Sequence, residues 1–199
     1  MTTQKIISLL AVLLLTAGVS IGQDVQLNIQ DSPNMHLYGE ANIKSWDAAI
    51  NQVDGTLTLQ NIENLTAESL TADAFQNLSL TIPVEKIEAE SDGLTKNLHK
   101  YLKEDDYPNI TFELNNVTDI TEQQDGSLLV TASGVITAAG TENPVDMQVT
   151  ANLIDDGIQF TGKKELLMTD FGIDPPTAVF GTIRSRDEIR IEFDVSFSK

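Results

Sequence analysis

Strict alternation of apolar and polar residues constrains this chain more than any other feature. Val145-Asp146-Met147-Gln148-Val149-Thr150-Ala151-Asn152-Leu153 places every odd-numbered residue on one apolar face. Near the C-terminus, Ile189, Ile191, Phe193, Val195 and Phe197 alternate with Arg190, Glu192, Asp194, Ser196 and Ser198. Ile110, Phe112 and Leu114 alternate with Thr111, Glu113 and Asn115. Shorter runs repeat the pattern at Val25/Leu27/Ile29, Val53/Gly55/Leu57/Leu59, Leu78/Leu80/Ile82/Val84, Leu128/Val130/Ala132 and Ile158/Phe160. Successive side chains of a strand point to opposite faces, so each run reads as a strand with one dry and one wet face. Parallel strands covered on both sides read as continuous apolar runs, so this sheet is expected to be antiparallel. Turn signals separate the runs at Asp54-Gly55, Asp125-Gly126, residues 140–144 and Asp155-Asp156-Gly157. About eight one-faced strands must close on themselves or pack in two layers.

One segment breaks the period of two. Across residues 91–103, Leu94, Leu98, Tyr101 and Leu102 fall at helical spacing, with Lys96, Lys100 and Lys103 on other positions. This predicts an amphipathic helix over about 91–104, capped by Ser91 or Asp92. Lysines near its C-terminus complement the helix dipole. Pro108 cannot continue the helix and pushes Tyr107 into extended geometry. The acids Glu104, Asp105 and Asp106 therefore read as an exposed bend between helix and strand. His99 is expected on the helix surface. Residues 64–75 carry a weak pattern for a second, shorter helix.

The N-terminus has the form of a secretory signal. Lys5 precedes an apolar run at residues 6–15, and small residues follow at Ala17, Gly18, Ser20 and Gly22. The expected division is a signal peptide at 1–22 and a single domain at 23–199. No further run is long enough to span a bilayer, so no stable membrane insertion is expected after cleavage. The chain has no cysteine, which excludes disulfides, thiolate chemistry and a cysteine-linked lipid anchor. Its formal charge is −18; without Lys5, 11 basic and 30 acidic residues remain, a charge of −19. Nucleic-acid binding depends on Lys and Arg neutralising phosphates, so it is not expected.

Catalytic and metal motifs are sparse. His36 and His99 are the two histidines, and no G-x-S-x-G nucleophile motif accompanies them. Two His and no Cys do not make a zinc site. Asp155-Asp156-Gly157 and Glu104-Asp105-Asp106 lack the spacing of a calcium loop. Asp170-Phe171-Gly172 matches a kinase tripeptide in letters, without the glycine-rich loop or catalytic loop of that family, and reads as a tight turn. No catalytic residue, metal ligand or cofactor is expected.

Three segments together resemble the YceI-like lipid/polyisoprenoid-binding family. They are "LTKNLHKYLKEDDYPNITFEL", "ASGVITAAGTENPVDMQVTA" and "MTDFGIDPPTAVFGTIRSRDEIRIEFDV". The stretch "GEANIKSWDAAINQVDGTLTL" is similar to the family's N-terminal part. The resemblance covers essentially all of residues 23–199. It implies a mainly β fold, a single antiparallel lipocalin-like β-barrel exported to the bacterial periplasm or beyond the cell. It also implies a long apolar cavity holding an isoprenoid or related amphiphile, and a carrier of that kind, expected not to be an enzyme, requires no covalent chemistry.

On that reading the ligand-facing candidates are Ile110, Phe112, Leu114, Leu128, Val130, Met147, Val149, Phe160, Ile191 and Phe193. Trp46, Phe171 and Phe180 are candidates for the lining or mouth. Lys163, Lys164, Arg184 and Arg186 are candidates for a head group. A weakly polar, quinone-like head suits the negative chain better than a pyrophosphate. Two alternatives stay open at this point. The alternating residues could fill a solid core, making the protein a binding or assembly module, or the cavity could hold a small substrate for an enzyme. Oligomeric state is not legible.

Overall fold

The computed structural model describes residues 23–30, 33–178 and 180–199. The expected signal peptide, residues 1–22, lies outside them. The strands are β1 (Gln23–Ile29), β2 (Asn34–Ala41), β3 (Ser45–Ile50), β4 (Asp54–Ile62), β5 (Phe75–Pro83), β6 (Ile87–Ala89), β7 (Asn109–Glu122), β8 (Leu128–Ala138), β9 (Thr141–Ile154), β10 (Gly157–Leu167), β11 (Thr177–Ala178) and β12 (Ile183–Ser198). One helix, α1 (Asp92–Tyr101), lies between β6 and β7.

Eight strands close an antiparallel barrel in the order β1-β4-β5-β7-β8-β9-β10-β12. Closure is short: β12 returns to β1 through Asn28↔Ser198 and Ile29↔Phe197, and Gln30 N donates to Ser196 O at 2.8 Å. Further along the same edge β12 pairs with β2, from Ile189↔Gly39 to Asp194↔Asn34. Strands β3 and β6 extend this branch, and α1 packs on β6. The wall therefore forks. One end of the barrel, where β4–β5, β7–β8 and β9–β10 connect, is drawn shut. The other end is splayed and covered by α1, the β2–β3 turn and the segment between β10 and β12.

At the shut end the alternating residues meet across the axis. Leu27, Leu57, Leu59, Ile158 and Phe197 have at most 1% of their surface exposed. Phe160 stands edge-on to Phe75 and Phe197, with ring centroids 6.5 and 5.9 Å apart. This end is packed up to the rings of Phe75, Phe160 and Phe197.

Strict alternation fails in β7, for a local reason. The register shifts between Leu114 and Asn116 and again between Val117 and Asp119. Each bulge inserts one extra residue and reverses which face follows. Val117 is buried where unbroken alternation would have buried Asn116. The turn expected at 140–144 is tighter than its sequence suggests. Ala139 and Gly140 turn with φ of 50° and 81°, the geometry of a two-residue hairpin. Pro144 lies within β9 opposite Val135, on a stretch whose other edge has no partner, where a missing N–H is tolerated. Residues 64–75 form two single 3₁₀ turns, Ala67–Ser69 and Ala72–Ala74, in place of the expected short helix.

The helix is shorter than expected and ends at Tyr101. Ser91 Oγ accepts from Leu94 N at 3.4 Å. Lys103 adopts φ 56° and its carbonyl accepts from Tyr107 N at 2.8 Å, which turns the chain into β7. Asp105 and Asp106 are exposed, as expected for a bend. Glu104 and His99 differ from expectation. His99 Nδ1 lies 3.1 Å from Glu104 Oε2, and its Nε2 lies 2.8 Å from Ile87 O. The ring is a tie between α1, the bend and β6, because both of its nitrogens meet an acceptor.

At the shut end, Leu57→Ala removes a fully buried side chain with no space to collapse into. It is expected to cost about 2–5 kcal/mol, read as a lower urea midpoint with an unchanged m-value.

Candidate functional site: an apolar cavity and its vestibule

Moving from the shut end toward the fork, the inward side chains stop touching across the axis. Ile110, Phe112, Leu114, Met147, Ile191 and Phe193 share the inward face with fully buried neighbours, yet each is only half-buried. The space between them is a cavity of about 120 Å³. Its lining is apolar apart from Thr111 and Lys164.

Two glycines keep this space open. Gly134 and Gly162 occupy inward positions of β8 and β10. A Cβ at Gly134 would overlap the Phe112 ring, and one at Gly162 would lie 2.8 Å from Phe193 Cζ. With no side chain there, both rings lie against the wall instead of across the lumen. A glycine inside a strand pattern marks a close approach, and that was the available signal in "ASGVITA" and "FTGKKE".

Lys164 follows Phe160 and Gly162 on the inward face of β10. Its stem lines the cavity and its Nζ donates to Asp146 O at 2.7 Å. A lysine can line an apolar space in this way because its charge reaches the edge of the wall. It is the one ionisable side chain lining this cavity among the described residues.

A second cavity, about 260 Å³, lies under α1. The helix stripe of Leu94, Leu98, Tyr101 and Leu102 faces Leu37, Trp46, Met168, Ile173 and Ile189. Lys44, Glu90, Asn97 and Ser185 make its border more polar. Trp46 is placed by Gly39: a Cβ at Gly39 would overlap the indole. The buried Trp46 Nε1–H has no acceptor among the described residues, although a buried indole N–H usually finds one. A single apolar cluster joins the two cavities. It contains Ile136, Met147 and Ile191 from the first and Trp46, Tyr101, Met168, Ile173 and Ile189 from the second. The second cavity is thus a vestibule, separated from the barrel interior by side chains alone.

Nine of the ten nominated barrel residues line the first cavity: Ile110, Phe112, Leu114, Val130, Met147, Val149, Phe160, Ile191 and Phe193. Leu128 does not; it sits in the packed shut end at 4% exposure. Trp46 lines the vestibule. Phe171 is buried in the cluster below it and lines neither cavity. Phe180 points away from both cavities, fully exposed at the tip of the β11–β12 turn. Lys163 faces outward, as its odd position on β10 dictates, into a polar groove beside His36 and Glu192. Arg184 and Arg186 stand on the outer rim, where Arg186 pairs with Glu40 at 3.2 Å. The head-group candidates are therefore not one cluster.

The YceI-like domain model matches residues 34–197. The chain belongs to the YceI-like family. Solved structures share this YceI-like fold. BcnA from Burkholderia cenocepacia superposes with a TM-score of 0.62 at 15% identity, over 82% of this chain and 95% of that one. A polyisoprenoid-binding domain from Saccharophagus degradans, implicated in plant cell wall breakdown, gives 0.63 at 10% identity, over 86% and 97%. The Campylobacter jejuni YceI protein gives 0.55 at 16% identity, over 76% and 84%. At these identities the likeness establishes the barrel and its helix. No curated protein matches the chain significantly.

The glycine argument predicts a measurable effect. Gly134→Ala and Gly162→Ala are each expected to destabilise the protein by about 1–3 kcal/mol through overpacking. Each is also expected to weaken uptake of the apolar dye N-phenyl-1-naphthylamine. Unchanged dye binding in both variants would show that the rings do not set the width of the lumen.

Proposed function

We propose that this YceI-like protein is an exported, non-enzymatic carrier or sequestering protein for an isoprenoid or other long apolar amphiphile. The tail lies in the barrel cavity and the head in the vestibule. The observation that carries this reading is the ring of half-buried inward side chains around unfilled apolar space. Burial of hydrocarbon contributes about 0.8 kcal/mol per methylene, so one five-carbon isoprene unit gains about 4 kcal/mol before association costs are subtracted. An apolar protein cavity of about 150 Å³ admits benzene, so the present 120 Å³ suits about one isoprene unit as it stands. A longer tail crosses the apolar partition of Ile189, Ile191 and Tyr101 into the vestibule.

Two donors suit a weakly polar head. The Trp46 indole N–H lacks an acceptor, and a quinone or alcohol oxygen supplies one. The Lys164 ammonium is held by a single carbonyl in the wall. A doubly anionic head is disfavoured by the −18 charge of the chain. Export and a periplasmic or secreted location rest on residues 1–22, with their charged start and short apolar run. Among the described residues, no helix is long and apolar enough to cross a membrane. The Saccharophagus domain, described as polyisoprenoid-binding, supports the ligand class. An enzymatic reading would need a reactive constellation, and Lys164 is the one ionisable side chain lining the barrel cavity among the described residues.

Organic extraction of the purified protein, followed by mass spectrometry, is expected to release an apolar amphiphile. Ala132 lines the cavity with 7% exposure, so Ala132→Phe is expected to fold and to abolish that ligand. Native protein that yields no lipid and takes up no added farnesol or ubiquinone would sink the proposal.

A further inference from the structure

We infer that the splayed end of the barrel is a docking surface for a lipid bilayer, with Phe180 and Ile43 as its insertion points. Phe180 is 110% exposed and Ile43 62% exposed. Each sits at the tip of a turn, Phe180 between β11 and β12 and Ile43 between β2 and β3. The two turns are tied together. Asn42 Nδ2 donates to Thr182 O at 2.9 Å, Asn42 N donates to Arg184 O at 3.0 Å, and Arg184 N donates to Asn42 Oδ1 at 3.0 Å. The pair therefore forms one braced edge.

Backbone geometry holds Phe180 outward. Its φ is 54° and that of Gly181 is 81°, a left-handed pair in which a bulky side chain is a genuine outlier. Such strain persists where the surroundings impose it and collects at functional positions. Here it presents an aromatic ring to solvent beside the border of the vestibule, which Ile43, Lys44, Ile183 and Ser185 form.

Charge distinguishes the two ends. The connections at the shut end carry Glu63, Glu68, Asp73, Asp125, Asp155 and Asp156 and no lysine or arginine. The turns of the braced edge carry Lys44, Arg184 and Arg186, with Glu40, Glu90, Asp187 and Glu188 beside them. Lys44 and Arg186 are paired with Glu90 and Glu40. Arg184 makes no ion pair among the described residues, and its Nε donates to Gly181 O at 2.9 Å. With a chain charge of −18, an anionic headgroup layer repels the shut end most, so the edge is the end that approaches it. Apolar and aromatic tips beside cations match a bilayer interface. Docking there sets the vestibule against the lipid, so an apolar chain passes between bilayer and barrel without crossing water.

The chain has no cysteine, so single labels are clean. Thr182→Cys, at the edge, and Asp156→Cys, at the shut end, each carry the environment-sensitive dye NBD. They are mixed at low ionic strength with vesicles of phosphatidylcholine and phosphatidylglycerol, 4:1. NBD at 182 is expected to brighten and shift to the blue, and NBD at 156 to stay unchanged. Phe180→Ser, a solvent-exposed change that leaves the core intact, is expected to weaken vesicle binding on the order of tenfold or more. Equal responses at the two labels, no response up to millimolar lipid, or full binding by Phe180→Ser overturns the proposal. So does a Phe180-dependent dimer in sedimentation without vesicle binding, which assigns the edge to a second copy. Ligand-free protein serves throughout, so the outcome is independent of whether the barrel carries an isoprenoid.

Discussion

The arrangement inside this protein follows from how β12 divides its second edge. A strand edge left bare presents unpaired N–H and C=O groups, so every residue of β12 needs a partner or cover. On one side β10 pairs with it from Glu188 to Ser198. On the other, β1 takes Phe197 and Ser198 while β2 takes Ile189 to Asp194. Two different strands leaving one edge must diverge, and the wall widens where they do. The shut end, the lumen and the vestibule are successive consequences of that divergence.

Packing records the same gradient. Leu57 and Leu59 meet neighbours on every side, Phe160 and Phe197 close the floor of the cavity, and Phe112 and Phe193, on the same inward face, border its space further up. Side-chain size does not explain the difference, since large phenylalanine rings surround the open space. Gly134 and Gly162 do, because they let the two rings lie back against the wall. Hollowness here is built from missing Cβ atoms as much as from strand geometry. The branch that covers the edge of β12 also carries α1, which roofs the vestibule with its apolar stripe. His99 fixes that roof through Ile87 and Glu104.

Much of the candidate site was legible because its residues obey a two-residue period. Ile110, Phe112 and Leu114, or Met147 and Val149, could be assigned to the lumen face by counting. Leu128 obeys the same count and lies in the packed end instead, since periodicity gives the face of a strand and not the height along it. Phe171 and Phe180 show a second limit. Both are aromatic residues in the loop before β12; one is buried and the other is held in solvent by a left-handed turn. The vestibule was hidden because it joins Trp46, Leu94, Met168 and Ile189, residues far apart in the chain with no shared pattern.

What the sequence by itself determined is the class of object: one-faced antiparallel strands, a single amphipathic helix, no cysteine chemistry, a strongly negative surface and family membership. These are local or compositional properties, and period, turn chemistry and charge are all readable without contacts. Tertiary structure alone decided which strand pairs with which part of β12, and hence where the barrel closes and where it opens. That choice depends on non-local strand pairings, such as Ile29 opposite Phe197 and Gly39 opposite Ile189, between residues more than a hundred positions apart. No local pattern encodes such a partnership, because the energy that selects it comes from pairing an edge and burying a face at the same time.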